Sequence, residues 1–331
     1  MSRRKGDGIF KRLILCCLQG ISIEEYCRWD PGMGADVVLG ALNHVPLDKM
    51  ERLCNDLLKV QAKEAKKRRL FTGMDLSVDL YDTVYNGKKD EYVFHAYRDV
   101  KGKMRPNHRY GLVSVTGSRF FFALGILPLA RGDRAGVVVD RLLGIGEDVD
   151  FNPGAVLMDR GFYSVEVFEA VEKYGYKYVV PGKSGDRMDE LYKKSLLDGS
   201  LRGQYTMYGK TENGKRKKPL TVYFQEDPEF EYNSFFTNLD TEDVEILATR
   251  YAKRGNIENN IKAKNRVKPR TSSTHLQYRL VLQTISLILA NLWRYMNLVI
   301  QSQLDEKSLT QDSFNRVLQK TIDTEHPQNK R

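Results

Sequence analysis

The sequence predicts an α/β fold, a mixed sheet flanked by helices, and three observations carry that expectation. From Gly73 the apolar residues Met74, Leu76, Val78 and Leu80 alternate with Asp75, Ser77, Asp79 and Tyr81, the two-residue period of a strand. Further β-rich runs follow at 110–116 and 120–127. Beyond them the pattern switches between helix (134–143), buried strand (155–158), helix (164–174) and strand (176–180). Meandering strands followed by alternating helix and strand make a mixed sheet covered by helices.

The remaining elements fall around that centre. Residues 1–70 read as a helical N-terminal module, with Leu47, Met50, Leu53, Cys54, Leu57 and Leu58 on one helical face before a basic linker ending at Arg69. Its open readings are a small DNA-binding helix-turn-helix and a plain docking piece. Residues 200–237 break the alternation with short β pieces at 205–208, 220–224 and 234–236 around the basic turn Asn213-Gly214-Lys215, a β-rich insertion. Asp240 or Thr241 then caps a long helix running through Glu258, and a second long helix spans about 277–299. The expected organisation is therefore 1–70 helical module and linker, 71–300 a central domain carrying the insertion, and 301–331 a C-terminal tail.

Composition narrows the function classes. The chain has 331 residues, 41% hydrophobic and 29% charged, which excludes a mini-protein and a largely disordered chain. Its 53 Lys and Arg against 43 Asp and Glu leave a net charge of +10, concentrated in runs at 63–69, 210–218 and 262–270. That excess favours a polyanionic partner, with solubility as the plainer reading. The four cysteines, Cys16, Cys17, Cys27 and Cys54, lack CxxC spacing and nearby histidines, so neither a zinc site nor a disulfide framework is expected. The longest apolar tract, 280–300, contains Gln283, Asn291 and Arg294 and reads as a buried helix, so no membrane partner is expected and the protein is placed in the cytoplasm.

Two acids stand out by context. Asp79 lies within the first core strand, and Asp159 directly follows the apolar run 155–158 and precedes Arg160-Gly161-Phe162-Tyr163. A carboxylate at a buried strand's end is costly unless paired, hydrogen-bonded or metal-bound; the plain reading of either alone is a turn or capping aspartate. On the long helix, Tyr251, Arg254, Glu258, Lys262 and Asn265 recur at a spacing that shares one face. That stripe suits a helix offering one carboxylate to a metal while its cations hold phosphates, and its plain reading is a solvated face with an Arg254–Glu258 ion pair.

Taken in order, Val78-Asp79-Leu80 with Tyr85-Asn86-Gly87, then Leu157-Met158-Asp159-Arg160-Gly161-Phe162-Tyr163, then Tyr251-x2-Arg254-x3-Glu258 resemble the three catalytic blocks of insertion-sequence transposases with a ribonuclease H-like DDE domain. The subgroup resembled is the one with a Y-x2-R-x3-E signature, including compact archaeal-type members, and the similarity covers about residues 70–300. The chain departs from that pattern at Asn265, where a lysine is usual and where Lys262, Lys264 and Arg266 stand nearby, and at Gly255, where relatives often carry tryptophan. The resemblance implies a ribonuclease H-like fold, with Asp79, Asp159 and Glu258 catalytic and holding two Mg²⁺ or Mn²⁺ ions. It implies DNA contacts from Tyr251, Arg254, Lys262, Lys264, Arg266 and Arg160. The implied partners are the element's terminal inverted repeats and target DNA, bound by a dimer on paired ends, with the protein nucleoid-associated when on DNA. Two other readings stay open: a transposase-derived DNA binder without catalysis, and a nuclease of the same fold.

Overall fold

The computed structural model describes residues 3–30, 32–98, 102–118, 120–211, 214–240, 243–304 and 308–325. The side chains of Lys210, Lys215 and Glu258, together with Asn213 and Thr241, lie outside the described residues.

One sheet organises the molecule. Its strands are β1 (Asp75–Val84), β2 (Val93–Arg98), β3 (Met104–Thr116), β4 (Phe121–Pro128), β5 (Val156–Met158), β6 (Tyr178–Pro181), β7 (Arg202–Thr211), β8 (Gly214–Asp227) and β9 (Glu231–Thr237). They lie in the order β2-β3-β1-β5-β6-β9-β8-β7, with β4 also paired to β3. β1 runs antiparallel to β3 and parallel to β5, and β5 parallel to β6, so the sheet is mixed as expected. The expected insertion exists and extends that sheet: β9 pairs antiparallel with β6, and β8 and β7 follow as a hairpin outward. Strand β2 was not foreseen.

Leu76 and Val78 of β1 belong to a core closed by α5 (Ala135–Glu147) and α6 (Val165–Lys173). Ser164 caps α6, its Oγ accepting from the Val167 amide. The opposite face carries Tyr81, Tyr110 and Leu112 against α4 (Leu47–Lys67) and α10 (Leu276–Leu304). Helix α10 is the apolar tract read as buried, and among the described residues no helix is long and apolar enough to cross a membrane. Helices α1 (Arg3–Gln19), α2 (Ile23–Trp29) and α3 (Ala35–Asn43) pack on α10 through Leu13, Cys17, Val38, Tyr278 and Leu282, and α11 (Gln311–Glu325), unforeseen within the C-terminal tail, joins them through Leu318 and Ile322. The basic run at 63–69 begins as the end of α4. Helix α7 (Asp186–Leu197), also unforeseen, lies beside the insertion, where Tyr192 packs on Phe224 and Tyr232.

Strand β4 shows how closely helices and sheet are joined. The Asn55 amide on α4 donates to the Ile126 carbonyl at 3.0 Å and accepts from the Ile126 amide at 2.8 Å. Asn291 on α10 does the same for Ala123, at 2.9 and 2.8 Å. Between these residues the register against β3 shifts, Val113 pairing Gly125 but Ser114 pairing Ala123.

Candidate active site

Backbone pairing brings the two strand aspartates together. Val78 is the register partner of Met158 across the parallel β1–β5 pair, so Asp79 and Asp159 are the next residues on adjacent strands. Neighbours in a parallel register project to the same side of the sheet. Asp159 leaves β5 in an extended conformation and caps a 3-10 turn at Arg160–Phe162, its Oδ1 accepting from the Gly161 amide at 2.7 Å. Asp79 Oδ1 accepts from the Leu80 amide at 2.8 Å.

Over these acids lies the segment expected to be one long helix, and here the structure corrects the sequence. Helix α8 (Val244–Ala252) ends in a 3-10 turn at Lys253–Gly255, after which α9 (Asn256–Arg266) begins. Asp243 caps α8, in place of the expected Asp240 or Thr241. The break resets the helical phase, so the stripe from Tyr251 to Asn265 is not one continuous face. Gly255 has open space where a Cβ would stand and helical φ, so its weak helix propensity suits the joint without any steric requirement.

Arg254 in that joint reaches both acids: Nη2 lies 2.9 Å from Asp79 Oδ1 and 3.5 Å from Asp159 Oδ2. Burial pushes the Asp79 carboxyl above its usual range, against the opposing pull of Arg254. For Arg254, burial works against the charged form, but Asp79, Tyr251 and Asp159 outweigh it and raise its affinity for the proton. Tyr251 packs on Phe235 at 5.7 Å between ring centroids.

Asp75, the other acid on the same strand face, has taken different partners. It is fully buried with Arg250 and Lys253 each 3.5 Å away, and burial raises its carboxyl too. Glu258 falls in the first turn of α9, four residues after Arg254, with its side chain outside the described residues. Among the described residues no three His, Cys, Asp or Glu form a metal-binding group.

Of the expected DNA-contacting cations, Arg160, Lys262 and Arg266 are exposed. Lys264 is not, and the expectation that it touches DNA is corrected. Its ammonium is wholly buried, 2.7 Å from Gln283 Oε1 and 3.6 Å from the centroid of the Tyr81 ring. The sequence reading missed a run of stacked cations and aromatics that begins four residues beyond Asp159, at Tyr163. Lys183 lies over Tyr163, Arg187 sits 4.7 Å from the Tyr205 ring and 5.8 Å from Tyr208, and Lys217 is 5.6 Å from Tyr208. The tyrosines at 205 and 208 on a β piece, with a basic run following, were the available signal.

The donor chemistry fits hard cations: carboxylate oxygens only, two of them already within reach of one positive nitrogen. Comparison with known proteins agrees. A family model described as "Transposase DDE domain" matches residues 131–292, which include Asp159, Arg254 and Glu258 and begin after β1 and Asp79. Comparison with curated proteins gave no match. Among solved structures, the cryo-EM structure of a piggyBac transposase synaptic complex with hairpin DNA is similar in fold, with a TM-score of 0.57 and 12% sequence identity over 99% of this chain and 74% of that one. Members of the DDE class generally use divalent metals. Over residues 131–292 the chain is thus similar to the DDE domain of transposases, and its fold is similar to that of a transposase.

Proposed function

We propose that this transposase binds the terminal inverted repeats of its own element, cleaves the DNA there and joins the freed 3′ ends to target DNA. Asp79, Asp159 and Glu258 are the residues that hold two Mg²⁺ or Mn²⁺ ions. Such a pair, when bound, activates the attacking oxygen and neutralises charge at the phosphodiester.

The observation that carries this reading is the placement of Asp79 and Asp159 as neighbours across parallel strands, sharing one arginine nitrogen. A buried carboxylate such as Asp79 is rarely left beside a second acid without a cation to hold. The rigid sheet fixes Asp79, and the Gly161 amide fixes Asp159, so two of the three acids are oriented before substrate arrives. Glu258 completes the set from the first turn of α9. Its assignment rests on its place four residues beyond Arg254, in the order of the family's signature.

The chain's own cations then hold the substrate. Arg160, Lys262 and Arg266 are exposed and carry phosphate contacts, while the Tyr163, Arg187, Tyr205 and Tyr208 run offers faces on which bases stack. Two ends must be joined in one event, so the active assembly is a dimer on paired ends, acting in the cytoplasm on the nucleoid. The test incubates the protein with short duplexes bearing the terminal repeat, Mn²⁺ and a supercoiled plasmid. Strand-transfer products are expected. Cleaved ends without joining would instead identify a nuclease, and shifted but uncut duplexes a DNA binder.

A further inference from the structure

We propose that Arg254 is an internal counter-cation that closes the acid pair in the free protein and leaves it when a DNA phosphate takes the guanidinium, so that DNA binding opens the site to metal. This rests on the metal-holding role of Asp79 and Asp159 given above.

The geometry of the contact points to a displaceable partner. A single nitrogen, Nη2, serves both carboxylates, while the Nε of the same guanidinium is buried without a hydrogen-bond acceptor. Arg109 in the same sheet is the contrast. It grips Asp82 with Nε and Nη2 at 2.8 and 3.0 Å, the two-pronged form of a lasting pair. Arg254 therefore leaves part of its bonding capacity unused, and a phosphate presents the several oxygens needed to fill it.

The backbone allows the movement. Arg254 sits in the 3-10 joint between α8 and α9, next to Gly255, around which there is open space. Without a cation the buried Asp79 would stand unpaired beside a second, part-exposed acid, so a neighbouring guanidinium favours both charges in the free protein. With it in place, a metal ion would have to share both carboxylates with a full positive charge in contact with them, an arrangement opposed by direct repulsion. Metal uptake and departure of Arg254 are thus linked, and a phosphate that draws the arginine away favours both. By reciprocity, metal must tighten DNA binding by the same factor.

The experiment measures Mn²⁺ binding to the full chain by the loss of the free-ion paramagnetic resonance signal, with and without a short duplex. The proteins are wild type, Arg254→Gln and Arg254→Lys, each checked for folding by circular dichroism. Wild type is expected to bind Mn²⁺ weakly alone and about tenfold more tightly with duplex, at the low end of coupling between linked sites. Arg254→Gln is expected to bind tightly without duplex and to gain little from it. Arg254→Lys, with a shorter arm that cannot span both acids, should lie between. Should Arg254→Gln not fold, the Arg254→Lys comparison decides. Mn²⁺ affinity in folded Arg254 variants equal to or below that of wild type overturns the proposal while leaving the metal site intact. Absence of Mn²⁺ binding in every protein, duplex included, refutes the metal site and the proposal with it.

Discussion

Replacing Lys264 with methionine tests whether the third basic run faces DNA or the core. The side chain is wholly buried, and burial, with Lys268 nearby, pushes its ammonium well below the usual lysine value of 10.5. A lysine whose folded value is depressed binds fewer protons folded than unfolded, so stability is lost as pH falls below the unfolded value and returns as pH rises toward it. One such group gives a slope of at most about 1.4 kcal/mol per pH unit. Neutralising an ordinary lysine at pH 7 therefore costs no more than about 5 kcal/mol. Methionine removes that penalty and loses the hydrogen bond to Gln283, worth about 1 kcal/mol. Because Gln283 Oε1 still accepts from the Tyr81 hydroxyl at 3.4 Å, no acceptor is stranded. The expected net effect is about 2 kcal/mol of added stability at pH 7, shrinking as pH approaches 9.5, measured by urea melts at several pH values. In parallel, the slope of log K against log salt for duplex binding should not change for Lys264→Met, whereas Arg266→Ala should flatten it by about 0.9. A destabilised Lys264→Met whose salt slope also falls by one contact would put this lysine on the DNA and refute the reasoning.

Asp159→Asn should abolish cleavage while leaving duplex affinity within about twofold, since no exposed cation is touched; normal cleavage by this variant in gel assays would remove Asp159 from the site. Gly255→Ala, placed in open space at a helical φ, should raise stability by about 0.5–1 kcal/mol, and a lowered melting temperature would show that the joint needs glycine for another reason. Asn291→Leu strands the amide and carbonyl of Ala123 in the core and should cost about 2–4 kcal/mol in a denaturant titration. A near-neutral result there would mean that water replaces the amide.

Asp79 and Asp159 were legible because each broke a local rule, an acid inside an alternating strand and an acid closing an apolar run. Their adjacency was not, since it depends on which strands pair and in which register. The alternation of strands and helices located α5, α6, β5 and β6, whose apolar patterns are strong. Strand β2 was missed because Val93-Phe94-His95-Ala96-Tyr97-Arg98 has no clean two-residue period. Helix α11 was passed over as tail, although Phe314, Leu318 and Ile322 already marked one face. Lys264 was placed on the DNA as a neighbour of position 265, where the resembled family carries a lysine, and nearness in sequence does not say which side of a helix faces the core. The stripe failed for a separate reason: counting 3.6 residues per turn from Tyr251 assumes an unbroken helix, and the 3-10 turn at 253–255 shifts the phase of everything after it.

The asparagines that bind Ala123 and Ile126 also make β4 self-checking. In a regular strand, only every second residue turns both its amide and its carbonyl away from the partner strand, so positions three apart cannot both do so. The one-residue offset between the Val113–Gly125 and Ser114–Ala123 pairs reverses that parity midway along the strand, and both residues then face the helices. A β4 that zipped up one residue out of step would present the wrong backbone groups to Asn55 and Asn291 at once, and one without the offset would fail one of the two. At least one of α4 and α10 would then dock with its amide unsatisfied, so a misaligned sheet is penalised where the helices would otherwise bury it. The same two side chains occupy the hydrogen-bonding positions that an additional strand would need, which closes this border of the sheet to strands from another molecule.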